Sequence, residues 1–266
     1  MSESQEHNQS DKKPKFDVFE GVNPEVRDRT KKMLMYFIIF AIVMLFGGFT
    51  SGLIVMTGGS YWVHIVPPAI LNVSIVFLVI SSLTMILSLR MMKKGKSKAG
   101  LILVGISFIG GLGFSATQYR GWNELAEKGM GFTVSENEEG LKAFQWNTVD
   151  RITAEYGVDY WLEKDGEKIV FEGTDFFHSS DTTRSNPVSS EIRVIKNNSG
   201  ALIATLIFVH IAHLILGLVY MIVNAIRISK GRIHKGNTIQ LQVNGIYWHF
   251  MGLLWIYLFL FLFFIH

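Results

Sequence analysis

Acidic residues are absent from two long stretches of this chain, residues 29–123 and 192–266, and these stretches hold the long apolar segments. All 22 acidic residues lie elsewhere, seven of them near the N-terminus and fifteen between Glu124 and Glu191. Only 18% of the 266 residues are charged, against about a quarter in typical soluble domains. The distribution of charge therefore predicts an all-α polytopic membrane protein.

Five segments reach the roughly 20 mostly apolar residues that a helix needs to cross a bilayer. They lie at about residues 33–56, 68–90, 99–119, 200–226 and 246–265. The chain is thereby divided into four regions. These are a polar tail (1–31), three transmembrane helices (32–120), an acidic module (121–199) and two transmembrane helices (200–266).

Two short loops between these spans predict the orientation. The loop at 90–98 contains five basic residues and the loop at 227–235 contains four, and neither contains an acidic residue. Because cytoplasmic loops carry the excess of Lys and Arg, both loops and the N-terminal tail are expected in the cytoplasm. The tail lacks the apolar core and cleavage site of a signal peptide and is expected to be disordered or to lie on the membrane. The spans would lie in a bacterial cytoplasmic (inner) membrane, and the C-terminus and the acidic module would be on its outer side.

The segment 121–199 has fifteen acidic and eight basic residues, a net charge of −7. Within it, YWLEKDGEKIVFEG places Asp165-Gly166 between two runs of aromatic and β-branched residues, which predicts a β-hairpin. Four aromatic residues are available for a small core: Trp146, Tyr156, Trp161 and Phe171. The pattern predicts a folded, external, β-containing (α+β) insertion between helices 3 and 4.

The chain has no cysteine, which excludes disulfides, thiol nucleophiles and thiolate metal sites. The interiors of the spans contain no charged residue, which argues against a stand-alone proton-driven transporter or pump. Small residues are expected at helix contacts, where they let backbones approach closely. They are Gly47, Gly48, Ser51 and Gly52 on span one, Ser74, Ser81, Thr84 and Ser88 on span two, and Gly105, Gly110, Gly111 and Gly113 on span three.

Histidines are the remaining candidates for chemistry. His210 and His213 are three residues apart and therefore share a helix face, which continues through Gly217, Tyr220 and Asn224. One hypothesis is metal or haem ligation, with His249 on the fifth span as a further ligand. The other is a packing seam in which the histidines form hydrogen bonds with neighbouring helices. His64 and His178 are expected to be surface residues, and Asp175, His178 and Asp181 resemble a cation site only loosely.

The segment YWHFMGLLW (247–255) resembles the YWHF motif that opens the final helix of subunit III of haem–copper cytochrome c oxidases. Other pieces follow the order of that family. They are MLFGGFTSG (44–52), Trp62 with residues 67–72, VISSLTM (79–85), FSATQYRGWNEL (114–125) and VHIAHLILG (209–217). The resemblance covers about residues 33–130 and 200–266 and implies the five-helix bacterial form of this subunit.

The resemblance implies a non-catalytic subunit that stabilises the catalytic subunit I, binds phospholipid and supports proton uptake from the cytoplasm. Haem and copper would be on partner subunits, with no cofactor, metal or active site on this chain. The positions carried over are helix-contact or lipid-facing residues: His210, His213, Gly217, Tyr247, Trp248, His249 and Trp255. Ile42 and Gly252 stand where the family has carboxylates, so roles that depend on those carboxylates do not transfer.

The expected partners are oxidase subunits I and II, in a respiratory complex that passes electrons to dioxygen and pumps protons, and no nucleic acid. The acidic module, which has no counterpart in the resemblance, is a candidate docking surface for an external cytochrome c domain or a neighbouring respiratory complex. Two rival functions stay open. One is a membrane anchor of a dehydrogenase with b-type haem between His210 or His213 and His249, and the other is a membrane scaffold or assembly protein.

Overall fold

The computed structural model describes residues 23–57, 61–129, 132–136, 142–146, 149, 152–193 and 200–265. Within these ranges, five helices are long and apolar enough to cross a membrane. The helices are α1 (Pro24–Thr57), α2 (Ala69–Lys93), α3 (Ser97–Glu127), the short α4 (Ser189–Arg193), α5 (Gly200–Ser229) and α6 (Ile239–Leu260), which continues into a π-helical turn (Phe261–Ile265). The five predicted spans are thus confirmed as helices, consistent with a helical membrane protein.

The long helices extend beyond the apolar segments that predicted them. Asn23 caps α1 by accepting a hydrogen bond from the Glu25 N–H through Oδ1 (3.0 Å), and Pro24 occupies the first helical position, which it favours. Part of the predicted tail is therefore helical, whereas residues 1–22 lie outside the described residues. Likewise α3 continues to Glu127, so the first residues assigned to the acidic module belong to a helix.

The two basic loops begin with the same helix-ending motif and lie side by side. Gly95 after α2 and Gly231 after α5 both have a positive φ, +80° and +68°. The next residue in each case donates its N–H back to a carbonyl in the last turn, as in a Schellman motif. A Cβ placed on Gly95 would lie 3.7 Å from Cδ of Lys235, so the two loops are in contact. We call this the basic end of the bundle.

A four-stranded antiparallel sheet lies at the opposite end, in the order β1-β4-β5-β6, and a separate hairpin pairs β2 with β3. The strands are β1 (Trp62–Ile65), β2 (Phe132–Glu136), β3 (Lys142–Trp146), β4 (Tyr160–Lys164), β5 (Glu167–Glu172) and β6 (Asp175–His178). The predicted hairpin is confirmed, because Asp165 and Gly166 join β4 to β5 with φ of +51° and +80°, as a type I′ turn requires. The sheet is not confined to the insertion, since β1 comes from the connection between α1 and α2.

The core of the sheet differs from the one predicted. It consists of Tyr61, Val149, Leu162, Ile169, Phe176 and Ile192, with Tyr156 packed beside it. The Tyr156 hydroxyl donates to the Ile169 carbonyl (2.6 Å) and accepts from the Leu162 N–H (3.2 Å). Trp161 lies on the other face of β4 from buried Tyr160 and Leu162, because side chains alternate along a strand. Phe171 is exposed at the rim, and the Trp146 side chain lies outside the described residues.

Helices α2 and α3 form a tight antiparallel pair joined by buried hydroxyl groups. Ser81 donates to the Ser107 carbonyl (2.7 Å), and Ser107 donates to the Ser81 carbonyl (2.8 Å). Ser88 donates to the Gly100 carbonyl (2.8 Å), and at the other end Gln118 donates to Ser74 (2.6 Å). These contacts agree with the prediction for Ser74, Ser81 and Ser88 on span two. A Cβ added at Gly105 on span three would have nothing within 4 Å, so the contact predicted for this glycine is not made by the described parts of the chain.

Helix α1 packs less closely than the other spanning helices. It contacts α5 and α6 through Phe46, whose ring lies edge-on to His210 and His213, and through Thr50, which accepts a hydrogen bond from Tyr257 (3.0 Å). Gly47 and Gly48 have open space around them, with nothing within 4 Å of an added Cβ. The predicted contacts of these two glycines are therefore not made by the described parts of this chain.

Gly110 should be the more sensitive of two glycines on α3. Its Cβ, if added, would lie 2.9 Å from Cβ and 3.3 Å from Cα of Ser81, so Gly110→Ala must push α2 and α3 apart. The expected cost is about 1–3 kcal/mol, the usual range for overpacking. Gly105→Ala on the same helix is the matched control, because a Cβ added at Gly105 would have nothing within 4 Å. Unfolding in mixed micelles measures both variants, and equal losses of stability would contradict the proposed close contact.

Candidate functional site

Two distant sequence motifs meet where α2 crosses α6. Nε1 of Trp248 donates a hydrogen bond to Oγ of Ser81 (3.0 Å). Oγ of Ser82 lies 2.5 Å from Nδ1 of His249. The consecutive serines of VISSLTM therefore bind the consecutive Trp and His of YWHF, each pair through its own hydrogen bond.

The seam between α5 and α6 is built around Gly217. A Cβ at this position would lie 3.1 Å from Cε1 of Tyr247 and 3.2 Å from Cε3 of Trp248, so the two aromatic rings pack directly on the glycine. The Tyr247 hydroxyl then reaches across to donate to the His213 carbonyl (2.8 Å). One turn further toward the basic end, Tyr220 donates to the Gln240 carbonyl (3.3 Å).

His210 is buried between aromatic rings from two other helices. Its ring centroid lies 5.2 Å from that of Trp255 and 6.4 Å from that of Phe46, and the residue is 2% exposed. Within the described part of the chain, neither ring nitrogen of His210 has a hydrogen-bond partner, and neither has Nε1 of Trp255. The hydrogen bonds that the packing-seam hypothesis expected for His210 are therefore not formed here.

A cleft of about 490 Å³ opens between α1 and the α5–α6 pair, within the size range of small-molecule pockets. Most of its wall is apolar, formed by side chains such as Ile38, Ile42, Leu45 and Leu216. The polar lining residues are His213, Tyr220 and Tyr247. We call this cavity the α1–α5 cleft.

The polar groups of the α1–α5 cleft are directed to backbone carbonyls. Nδ1 of His213 lies 2.7 Å from the Val209 carbonyl, which can only accept, so in the neutral ring the proton is on Nδ1 and Nε2 is an acceptor. The hydroxyls of Tyr220 and Tyr247 also donate to carbonyls. The cleft is thus suited to apolar chains and to one hydrogen-bond donor, and its lining contains no carboxylate.

His249 lies in different surroundings from His210 and His213. It contacts Ser82 on α2 and lines a second cavity of about 210 Å³ between α1, α2 and α6. The structure therefore brings His210 and His213 together beside Phe46 but directs His249 to another helix interface. Among the described residues, no group of three or more metal-ligating side chains is present.

The two positions where the resemblance expects a carboxylate are occupied by packing contacts. Ile42 is buried in the wall of the α1–α5 cleft. A Cβ added to Gly252 would lie 3.3 Å from Cδ2 of Leu78, so α6 packs closely on α2 at this point. An aspartate side chain at residue 252 would require Leu78 to move.

The sheet is held to the bundle by a charged contact at the end of α3. Nζ of Lys128 binds Oδ1 of Asp159 (2.9 Å), and Oδ2 of Asp159 accepts from the Glu155 N–H (3.1 Å). The hydrogen bond from Lys128 lowers the pKa of the Asp159 carboxyl, and the same bond raises the pKa of Lys128. The Asp159 carbonyl also accepts from the Val66 N–H (2.8 Å), which joins this point to the residue after β1.

His64 is not the plain surface residue that the sequence predicted. Its ring stacks on Trp161 at 5.1 Å with 9° between the planes, and Nε2 lies 3.1 Å from Oε2 of Glu163. Burial lowers the pKa of His64, and the nearby Glu163 carboxylate offsets this only in part. The sequence missed this site because β1 and β4 are almost 100 residues apart and pair only in the folded chain.

The loosely predicted cation site is used for local hydrogen bonds. Oδ1 of Asp175 accepts from the Ser189 hydroxyl (2.7 Å). The Asp181 carboxylate accepts from the N–H groups of Thr183 (3.2 Å) and Asn186 (2.9 Å), and these bonds lower its pKa. His178 instead faces Glu167, with 3.7 Å between Nδ1 and Oε2.

No protein-family model matches this chain, and no curated protein is significantly similar to it in sequence. The class that the structure itself defines is a helical protein with five potential membrane spans and a small β-sheet at one end.

The His64 site should make the stability of the sheet depend on pH. Because the folded-state pKa of His64 is below its usual value near 6.5, the unfolded chain binds more protons in the pH range just below 6.5. The contribution of His64 to the free energy of unfolding is therefore fully present above about pH 6.5 and decreases as the pH falls below that value. Thermal unfolding at about pH 7.5 and about pH 5.5 tests this, with His64→Gln as control. An equal loss in wild type and His64→Gln would contradict the assignment.

Proposed function

We propose that this chain is a non-catalytic subunit III of a proton-pumping haem–copper cytochrome c oxidase in the aerobic respiratory chain. The observation that carries the proposal is the contact between VISSLTM and YWHF, two of the segments in which the resemblance lies. Ser81 binds Trp248 and Ser82 binds His249 at one helix crossing. This contact gives the two motifs a common structural purpose, which is to hold α6 against α2.

The lack of acidic residues in the spans favours an accessory role for this chain over proton transfer through the chain itself. Residues 29–123 and 192–266 contain no Asp or Glu, so a carboxylate relay across the membrane would come from the catalytic subunit I. In the proposed complex, this subunit stabilises subunit I and supports proton uptake at the cytoplasmic side. The haem and copper centres would be on the partner subunits.

The α1–α5 cleft supports the proposed binding of lipid. Its apolar wall and single accepting nitrogen, Nε2 of His213, fit an acyl chain with a donor near one end. The basic end of the bundle supports the proposed orientation, because cytoplasmic loops are rich in Lys and Arg. In this orientation the N-terminus is cytoplasmic, and the sheet and the C-terminus are outside a bacterial inner membrane.

The acidic module stays a candidate docking surface for an external cytochrome c domain or a neighbouring respiratory complex. Several of its carboxylates already pair within the chain, including Asp159 with Lys128 and Glu172 with Arg184. A partner would therefore meet the remaining carboxylates. Binding through such exposed charges would weaken as salt rises.

The b-type haem anchor is the rival supported by the histidine content. It would place His249 opposite His210 or His213, but His249 lies beside Ser82 and the other two lie beside Phe46. A scaffold or assembly protein is the second rival, and the contacts described above are equally compatible with it. The three functions differ in where haem is found.

An affinity tag on the full-length chain in native membranes distinguishes them. After mild solubilisation, a reduced-minus-oxidised spectrum is recorded for the eluate and again after partners are stripped away. An oxidase subunit is expected to show an a-type haem signal that leaves with the partners. Haem that stays on the bare chain would instead establish a cytochrome, and an eluate without haem from intact complexes would favour the scaffold.

A further inference from the structure

The second cavity is a groove of about 210 Å³ near the basic end, between α1, α2 and α6. We call it the α1–α2–α6 groove. Apolar side chains such as Met85, Leu89 and Ile246 form most of its wall, and Lys32 and His249 are among its polar lining residues. An apolar cavity of about 150 Å³ can hold benzene, so the groove has room for one aromatic ring beside a charged group.

Lys32 brings a positive charge to the groove without a counter-ion. The residue is partly buried, and among the described residues no carboxylate lies within ion-pair distance of it. Asp28, one turn earlier, contacts Arg27 instead. The helices α2 and α6 contain no acidic residue at all. Because a partly buried ammonium group with no counter-ion is costly, the groove favours an occupant that brings a carboxylate.

The seven residues before the N-cap of α1 have a matching composition. Residues 16–22 read FDVFEGV, with two carboxylates, two phenylalanines and no basic residue. They belong to the part of the chain, residues 1–22, that lies outside the described residues. All three lysines of the tail precede this segment, so repulsion from Lys32 limits the matching part of the tail to residues 16–22.

The length of this segment fits the distance to the groove. Lys32 is nine residues beyond the N-cap of α1, about 14 Å along the helix axis. If the chain reverses at Gly21, a residue type that tolerates the φ angles of a tight turn, four extended residues reach back about 13 Å. This path brings Asp17 to the level of Lys32 and Phe16 to the apolar wall of the groove.

We propose that residues 16–22 fold back along α1 and occupy the α1–α2–α6 groove. The Asp17 carboxylate pairs with the ammonium group of Lys32, and the Phe16 ring packs on the apolar wall beside Leu89. The occupant of this groove is therefore a segment of the same chain.

The docked segment would complete the attachment of α1. Phe46 and Thr50, which attach this helix to α5 and α6, both lie in its second half. Residues 16–22 hold the first half of α1 against α2 and α6. The proposal does not depend on the oxidase assignment, so a failure of one leaves the other untouched.

Disulfide formation in the full-length chain in native membranes tests the proposal, because the natural chain has no cysteine. Phe16→Cys, which keeps a small apolar side chain, is combined with Tyr36→Cys in the groove or with Met35→Cys in the α1–α5 cleft. A disulfide needs its two Cα atoms within about 7 Å. The two pairs differ by only one residue in tether length. After mild oxidation, the first pair is expected to cross-link within one chain, and the second is not.

Charge variants of the first cysteine pair test the ion pair itself. Lys32→Gln and Asp17→Asn should each lower the cross-linked fraction by up to about fivefold, the value of a surface ion pair. The exchange of the two charges, Lys32→Asp with Asp17→Lys, should restore the cross-link. Lys31→Gln is the matched control, because it removes the same charge from a neighbouring residue that does not line the groove.

Four outcomes would overturn the proposal. Equal cross-linking of the two cysteine pairs would show that the segment has no preference for the groove. Cross-links between two chains would assign the groove to the tail of a second copy. A cross-link that forms only after lipid is removed in detergent would show that lipid occupies the groove in the membrane. A loss in Lys32→Gln that charge exchange does not restore would exclude the ion pair with Asp17.

Discussion

The hydroxyl group of Ser81 is the junction on which the packing of three helices depends. It donates to the Ser107 carbonyl on α3 and accepts from Nε1 of Trp248 on α6. Apolar burial gives helices no driving force to associate within lipid, so close packing and such hydrogen bonds must hold them together. Gly110 allows the approach that the bonds need, and Gly111 makes room for the Trp248 ring. The contacts of α2 with α3 and α6 at this junction therefore depend on Ser81, Gly110, Gly111 and Trp248.

Helix α1 is packed more loosely than this junction, and the two cavities described above both lie along it. Thr50 and Phe46 attach it to α6 and α5. A Cβ added at Gly47 or Gly48 would have nothing within 4 Å. Looser packing leaves the α1–α5 cleft on one side and the cavity between α1, α2 and α6 on the other. In a bilayer, such spaces are filled by lipid or by a neighbouring protein, because the interior of a membrane holds no water to fill them. The incomplete packing of α1 is consistent with a subunit that works inside a larger assembly.

The sheet is part of the same body as the helices. Strand β1 follows α1 and pairs with β4, so the short connection between the first two spans becomes an edge of the sheet. The contacts of Asp159 with Lys128 and with the Val66 N–H attach β4 to the ends of α3 and β1. A partner that binds the sheet would therefore contact a surface that these two contacts attach to the spans.

Sequence alone determined the number of spans, the sharing of one end by the two basic loops, and the hairpin at Asp165-Gly166. These features are local: a span needs only a long apolar run, and a type I′ turn needs only two residues that tolerate a positive φ. Tertiary structure decided which side chains meet. The pairing of His64 with Glu163 and the contact of Ser82 with His249 each join segments that are far apart in the chain. Periodicity assigns a residue to a helix or strand face, but only packing determines which face lies opposite.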